Sequence, residues 1–179
     1  MKLKKEIATH FSFMVSFFVL ITIYRKWFDT YYIPFWLGGI LGTILPYTDQ
    51  LIYIYVIKPA ETNSQRITAM LGRKDVLGAA KSLLEIRYQR DKLIFHNAQF
   101  QLLFLILTFF VMSSSGSVFG WGVVLAFSFH LFIDQIIDLV ETDSLKSWFT
   151  KLPIGLDRQQ KRWYLVFNFL ILLVLGLLM

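Results

Sequence analysis

The chain contains no cysteine. That removes disulfides and thiolate metal ligands together, and leaves imidazole and carboxylate as the donors for any metal chemistry. Charge is also scarce: Asp, Glu, Lys and Arg make up 17% of 179 residues, against about a quarter in soluble proteins. Histidine occurs three times and proline four times. There is no internal repeat, no low-complexity tract and no composition break that would mark a second domain. The expectation is a single integral membrane domain over residues 1–179.

What the chain has in excess is apolar. Hydrophobic residues reach 56% and the mean hydropathy is +0.56. Five runs approach the roughly 20 apolar residues that cross a bilayer, at about 6–24, 35–57, 93–112, 118–140 and 162–179. The first is read as a retained helix rather than a signal peptide. Its apolar run is too long, and no small-residue cleavage site precedes Tyr24-Arg25-Lys26. The predicted fold is all-α, a polytopic membrane bundle.

The net charge of +6 is distributed as topology would require. Sixteen of the eighteen Lys and Arg residues fall in the N-terminal tail and in connections 58–92 and 141–162; only Arg25 and Lys26 fall elsewhere. The positive-inside rule then puts the N-terminus in the cytoplasm and the C-terminus outside. This accounts for the basic balance, so nucleic acid is not predicted as a partner, whereas anionic membrane lipid is. Trp27, Tyr31, Tyr32 and Trp36 fall at predicted outer ends, and Trp148, Trp163 and Tyr164 near inner ends. In the 58–92 connection, Thr62–Leu71 reads as a short helix ending near Gly72. Asp75 reads as the N-cap of a basic amphipathic helix with a Val76, Leu77, Ala80, Leu83, Leu84, Tyr88 stripe. Such a helix lies on the cytoplasmic leaflet or covers a site at that face.

Against this apolar background the ionisable residues inside the spans stand out, because burying them is expensive. They are His10, Asp49, His96, His130 and Asp134. At 1.5 Å per residue, His10 and His96 fall about 5–6 Å inside the predicted cytoplasmic boundary, Asp134 about 9 Å, Asp49 about 12 Å and His130 about 15 Å. Four spans thus contribute to one layer. His130 and Asp134 are spaced i, i+4 and share a helix face, and Pro46 is placed to kink the second span beside Asp49. Three imidazoles and two carboxylates match the ligands of zinc, and less specifically of manganese. Gln50, Asn97, Gln99, Gln101, Gln135 and Asn168 are available to orient them. The same layer also admits a helix-locking network in a structural or assembly protein. A proton or ion relay is a third reading, opposed by the lack of His, Asp and Glu in the outer half of every span.

The order of these residues resembles the membrane-bound metal-dependent hydrolase family that includes the LexA-binding, inner-membrane-associated hydrolases. His10 matches that family's early His. Gly42 through Asp49 resemble its Gly-x-Leu-Leu-Pro-Asp-x-Asp-His segment, His96 the first His of its third motif, and His130 with Asp134 its late His-x-x-x-Asp. The likeness covers about residues 8–140. Tyr47, Gln50 and Gln101 stand where the family has further ligands, and Asn97-Ala98 where it has Arg-Gly. The resemblance implies a hydrolase of a prokaryotic cytoplasmic membrane with a cytoplasm-facing site. It would bind zinc or manganese through the five residues, with Asp49 or Asp134 as general base, and act on a lipid or phosphoester.

Overall fold

The computed structural model describes residues 2–86, 93–142, 144–150 and 155–178. All regular structure among them is helical. The protein is an all-α bundle in which four helical stretches are long and apolar enough to cross a membrane: Lys5–Arg25, Thr30–Ile57, Val118–Thr142 and Arg158–Leu178. Their outward side chains, among them Phe13, Leu20, Ile40, Phe119, Phe167 and Leu170, are exposed and apolar, as expected of an integral membrane protein facing lipid.

The first helix, α1 (Lys2–Arg25), ends on Lys26 in the left-handed region, with φ 56°. The Trp27 amide returns to the Thr22 carbonyl at 2.9 Å, closing a Schellman-type cap. Chain direction reverses through Asp29, whose carboxylate accepts from the Tyr31 amide at 2.8 Å. Then α2 (Ile33–Ile44) begins, with Pro34 in its first turn where a missing N–H costs nothing. Pro46 breaks this span as predicted. A 3₁₀ turn, Leu45–Tyr47, separates α2 from the short α3 (Thr48–Ile52), and a π turn, Tyr53–Ile57, follows.

The 58–92 connection carries α4 (Thr62–Gly72) and α5 (Val76–Ile86). The break between them is not at Gly72, which is still helical. Lys74 takes the left-handed position at φ 60°, while the Asp75 and Lys74 amides return to Met70 and Leu71. Asp75 does cap α5, accepting from the Gly78 amide at 2.9 Å. The expected stripe is rotated, however: Ala79 is fully buried and Leu83 packs inward, whereas Val76 and Leu77 are exposed. The reason is tertiary. Ala79 and Ile67 close a small cluster over Tyr53, Ile54 and Leu93 at the end of the second span. The predicted Tyr88, Arg87, Arg90 and Lys92 lie outside the described residues.

Next come α6 (Ala98–Ser114), α7 (Val118–Thr142), the one-turn α8 (Lys146–Phe149) and α9 (Arg158–Leu178). The span expected from residue 93 starts as a helix only at Ala98, because Asn97 caps it through the Phe100 amide at 2.9 Å. Seventeen residues give about 25 Å of helix, short of the roughly 30 Å hydrocarbon core. α7 is the central helix: 67% of its apolar window is buried, against 28% for α1 and for α9.

Small residues set how closely α7 meets α2. A Cβ at Gly122 would lie 2.1 Å from the Phe35 carbonyl oxygen, at Gly38 2.2 Å from that of Phe119, and at Gly42 2.2 Å from that of Val123. Backbone therefore rests on backbone, the small-x-x-x-small mode of helix association in membranes. The spacing Gly38-x-x-x-Gly42 was a readable signal for it. Stacked rings fill the remaining layers, with Phe17 on Phe129 at 4.4 Å, Phe18 on Phe35 at 4.2 Å and Phe104 on Phe127 at 4.2 Å.

Candidate metal centre

This packing carries His130 and Asp134 on the buried face of α7, against His10 of α1 and the segment 93–97 that precedes α6. All five residues singled out in the sequence meet there, and each is between 0% and 4% exposed. Asp134 is the hub. Its Oδ1 stands 3.1 Å from His10 Nε2, and its Oδ2 stands 3.0 Å from His96 Nε2 and 3.2 Å from His130 Nε2. His10 and His130 stack with centroids 4.0 Å apart. Asp49 joins through His96, whose Nδ1 donates to its Oδ2 at 2.9 Å.

Asp49 has a second task that its sequence position did not disclose. Its Oδ1 accepts from the Ile94 amide at 2.9 Å and its Oδ2 from the Phe95 amide at 2.7 Å. One buried carboxylate thus satisfies the backbone of an irregular stretch that would otherwise leave orphan donors inside the bundle. The kink at Pro46 allows this, since it turns α3 so that Asp49 meets the start of the next span.

The proton positions can be argued from the partners. His10 Nδ1 lies 2.9 Å from the Glu6 carbonyl oxygen, which only accepts, so Nδ1 carries the proton. His96 Nδ1 carries one for the same reason, because it faces the Asp49 carboxylate. In neutral rings both Nε2 atoms are then lone pairs, and both point at oxygens of Asp134 that are themselves acceptors. Acceptors converge on acceptors. His130 adds a ring nitrogen, Nδ1, that is buried and has no hydrogen-bond partner.

Such a convergence needs positive charge between the atoms. A proton on the Nε2 of His10 and of His96 would supply it as two charged hydrogen bonds to Asp134. A metal ion would supply it directly: His10, His130 and Asp134 each bring a donor atom within 4.8 Å of the other two, a buried group that could hold a metal ion. His10 and His130 stand 3.1 and 3.2 Å from the Asp134 oxygens, which are also ordinary hydrogen-bond distances, and His96 is not part of the group of three that could share an ion. The donor set fits.

The residues expected to surround the ligands sort differently. Gln101 and Gln135 exchange amide hydrogen bonds at 2.6 and 3.3 Å, Tyr164 donates to Gln101 at 2.8 Å, and Asn168 reaches the same oxygen at 3.5 Å. They form a separate polar lock among α6, α7 and α9. Tyr47 stays at the centre, its hydroxyl 3.4 Å from His10 Nδ1 and its ring edge-on to His130 at 5.0 Å. Trp148, expected as an interface anchor, is instead fully buried; its ring lies 5.9 Å from that of His96 and its Nε1 donates to Asp138 at 2.7 Å. Pairing Asp138 with a tryptophan ten residues on was not readable from spacing. Two open surface clefts, one lined by Ile54, Tyr55, Pro59, Gln65, Thr68 and Ala69 and the other beginning at Thr30 and Tyr31, do not include the five residues.

No family model, curated protein or solved structure matches this chain.

Proposed function

We propose that the protein is a metal-dependent hydrolase of a prokaryotic cytoplasmic membrane, with its N-terminus in the cytoplasm and its site at that leaflet. The observation that carries the reading is the convergence of His10 and His96 lone pairs on the Asp134 carboxylate, with both Nδ1 protons already committed. His10, His130 and Asp134 would hold the ion, with His96, 3.0 Å from Asp134 Oδ2, the proposed further ligand. Zinc suits three imidazoles and one carboxylate best, with manganese the second choice. When bound, such an ion supplies a hydroxide near neutral pH and polarises an ester or phosphoryl oxygen.

The chain's own residues divide the remaining work. Asp49 holds His96 in the tautomer and orientation that a metal requires, the usual partner arrangement of a ligating histidine. Its oxygens already accept three hydrogen bonds and Asp134 is taken up as a ligand, so Asp49 stands as a positioning residue and Asp134 as a ligand; a carboxylate serves as general base only from outside the ligand set. Trp148 and the Phe-rich walls of α7 keep water from the site and so strengthen its electrostatics. A lipid or lipid-linked phosphoester is the proposed substrate class, since a site on that side would open at headgroup level. The ordered likeness of His10, Gly42–Asp49, His96 and His130/Asp134 to the membrane-bound metal-dependent hydrolases supports the same reading.

A second reading rests on the burial of all five residues and on the location of both clefts elsewhere. In it the network ties α1, α3, the 93–97 segment and α7 together and does no chemistry. Metal content of detergent-purified protein separates the two. Near-stoichiometric zinc or manganese that is lost in His130→Ala and Asp134→Ala supports the centre, and turnover of phosphoester substrates should vanish with it. Folded protein that stays metal-free after reconstitution refutes it and leaves the lock.

A further inference from the structure

The α4–α5 hairpin has an outward tip that neither the metal centre nor the bundle uses. Its inner side is closed over Tyr53, Ile54 and Leu93 by Ile67 and Ala79. At the tip, Val76 and Leu77 are 63% and 72% exposed, side by side at the start of α5. Arg73 and Lys74 immediately precede them, Lys81 follows one turn later, and all three are exposed. Asp75, the acidic residue at the tip, is spent on capping Gly78. Leu77 lies on the side of α5 away from Ala79, so turning it inward would lift Ala79 out of the cluster.

We propose that this tip is an insertion wedge for the anionic leaflet, with Val76 and Leu77 entering the headgroup–acyl boundary and Arg73, Lys74 and Lys81 contacting lipid phosphates. Three observations select lipid over a protein partner. The hairpin joins the end of one span to the start of the next helix, so it stands at the membrane surface by connectivity. α5 also packs against α1, which passes into the bilayer at that end. The tip pairs large apolar residues with three cations against one carboxylate, Asp75, which is engaged by the Gly78 amide, a net basic and apolar composition that binds anionic interfaces. The surface needs no metal, so its test stands or falls separately from the hydrolase reading.

The cysteine-free chain makes the experiment direct. Leu77→Cys and, separately, Val76→Cys in the full-length protein carry an environment-sensitive fluorophore in nanodiscs of phosphatidylcholine, with or without one-third phosphatidylglycerol. The wedge predicts blue-shifted emission, quenched by doxyl-labelled lipid, in the anionic discs. The effect should fall at 1 M salt, where the screening length is about 3 Å. Adding Lys74→Gln and Lys81→Gln should lower the ratio of inserted to exposed probe by about 25-fold, about fivefold per cation. Water-exposed emission from both positions in both lipids overturns the proposal. Equal insertion into neutral and anionic discs also overturns it, by removing the role of the phosphates.

Discussion

Replacing Asp49 by Asn tests whether this carboxylate orients the centre or belongs to it. The change preserves shape but exchanges one acceptor oxygen for an NH₂ group. In the native protein the two oxygens accept from the Ile94 amide, the Phe95 amide and His96 Nδ1 at 2.9, 2.7 and 2.9 Å. Asn has one oxygen, so at least one of these buried donors meets another donor. A hydrogen bond to a charged group contributes about 1.5–3 kcal/mol, and a buried donor left unmade costs about 1–3 kcal/mol. The loss should therefore be about 3 kcal/mol, read as a lower midpoint of thermal or denaturant unfolding in detergent. The effect on metal should differ in kind from that of losing a ligand. An orienting partner changes affinity by about 10- to 100-fold, so Asp49→Asn should still fill to wild-type stoichiometry at high zinc, with a weakened Kd in competition against a chromophoric chelator. Asp134→Asn should not fill. An Asp49→Asn protein with unchanged midpoint and unchanged affinity would refute the argument, and one that binds no metal at any concentration would make Asp49 a ligand.

Two other perturbations test the scaffold. Gly122→Leu puts a Cβ 2.1 Å from the Phe35 carbonyl oxygen, where only movement of α2 away from α7 relieves the clash. Overpacking of this kind costs about 1–3 kcal/mol, so reduced thermal stability with weaker metal retention is expected, and an unchanged midpoint would contradict the packing described. Trp148→Phe replaces the fully buried indole by a smaller ring and deletes its bond to Asp138. It should cost about 2 kcal/mol or more from the lost bond and the cavity together and raise the rate of proteolytic nicking around residues 144–150; wild-type resistance would show that Trp148 does not hold α8.

The sequence was most informative where a physical requirement acts locally. Four of the five predicted span positions follow from the length of apolar run a bilayer demands, the run from residue 93 giving the shorter α6 instead, and α5 follows from its periodicity and the Asp75 cap. The kink at Pro46 follows from a missing N–H. Even the polar layer was legible, because an ionisable side chain in an apolar span is costly wherever the chain goes next. The Gly38-x-x-x-Gly42 spacing was equally available as a sign of close helix contact.

Other features depended on partners far away in the chain. The rotation of α5, which leaves Val76 and Leu77 outside, is set by Tyr53 and Leu93 closing on Ala79. The start of α6 at Ala98 is fixed locally by the Asn97 cap, while the irregular stretch before it is held by Asp49, more than forty residues earlier, taking the Ile94 and Phe95 amides. The division of the polar residues into a His–Asp centre and a separate Gln101–Gln135–Tyr164–Asn168 lock has the same origin. Composition and periodicity determined which residues had to leave water and which would resist doing so. Only the tertiary structure decided which donor faces which acceptor, because hydrogen bonding and metal ligation act over about 3 Å, a distance fixed by helix crossings and not by sequence spacing.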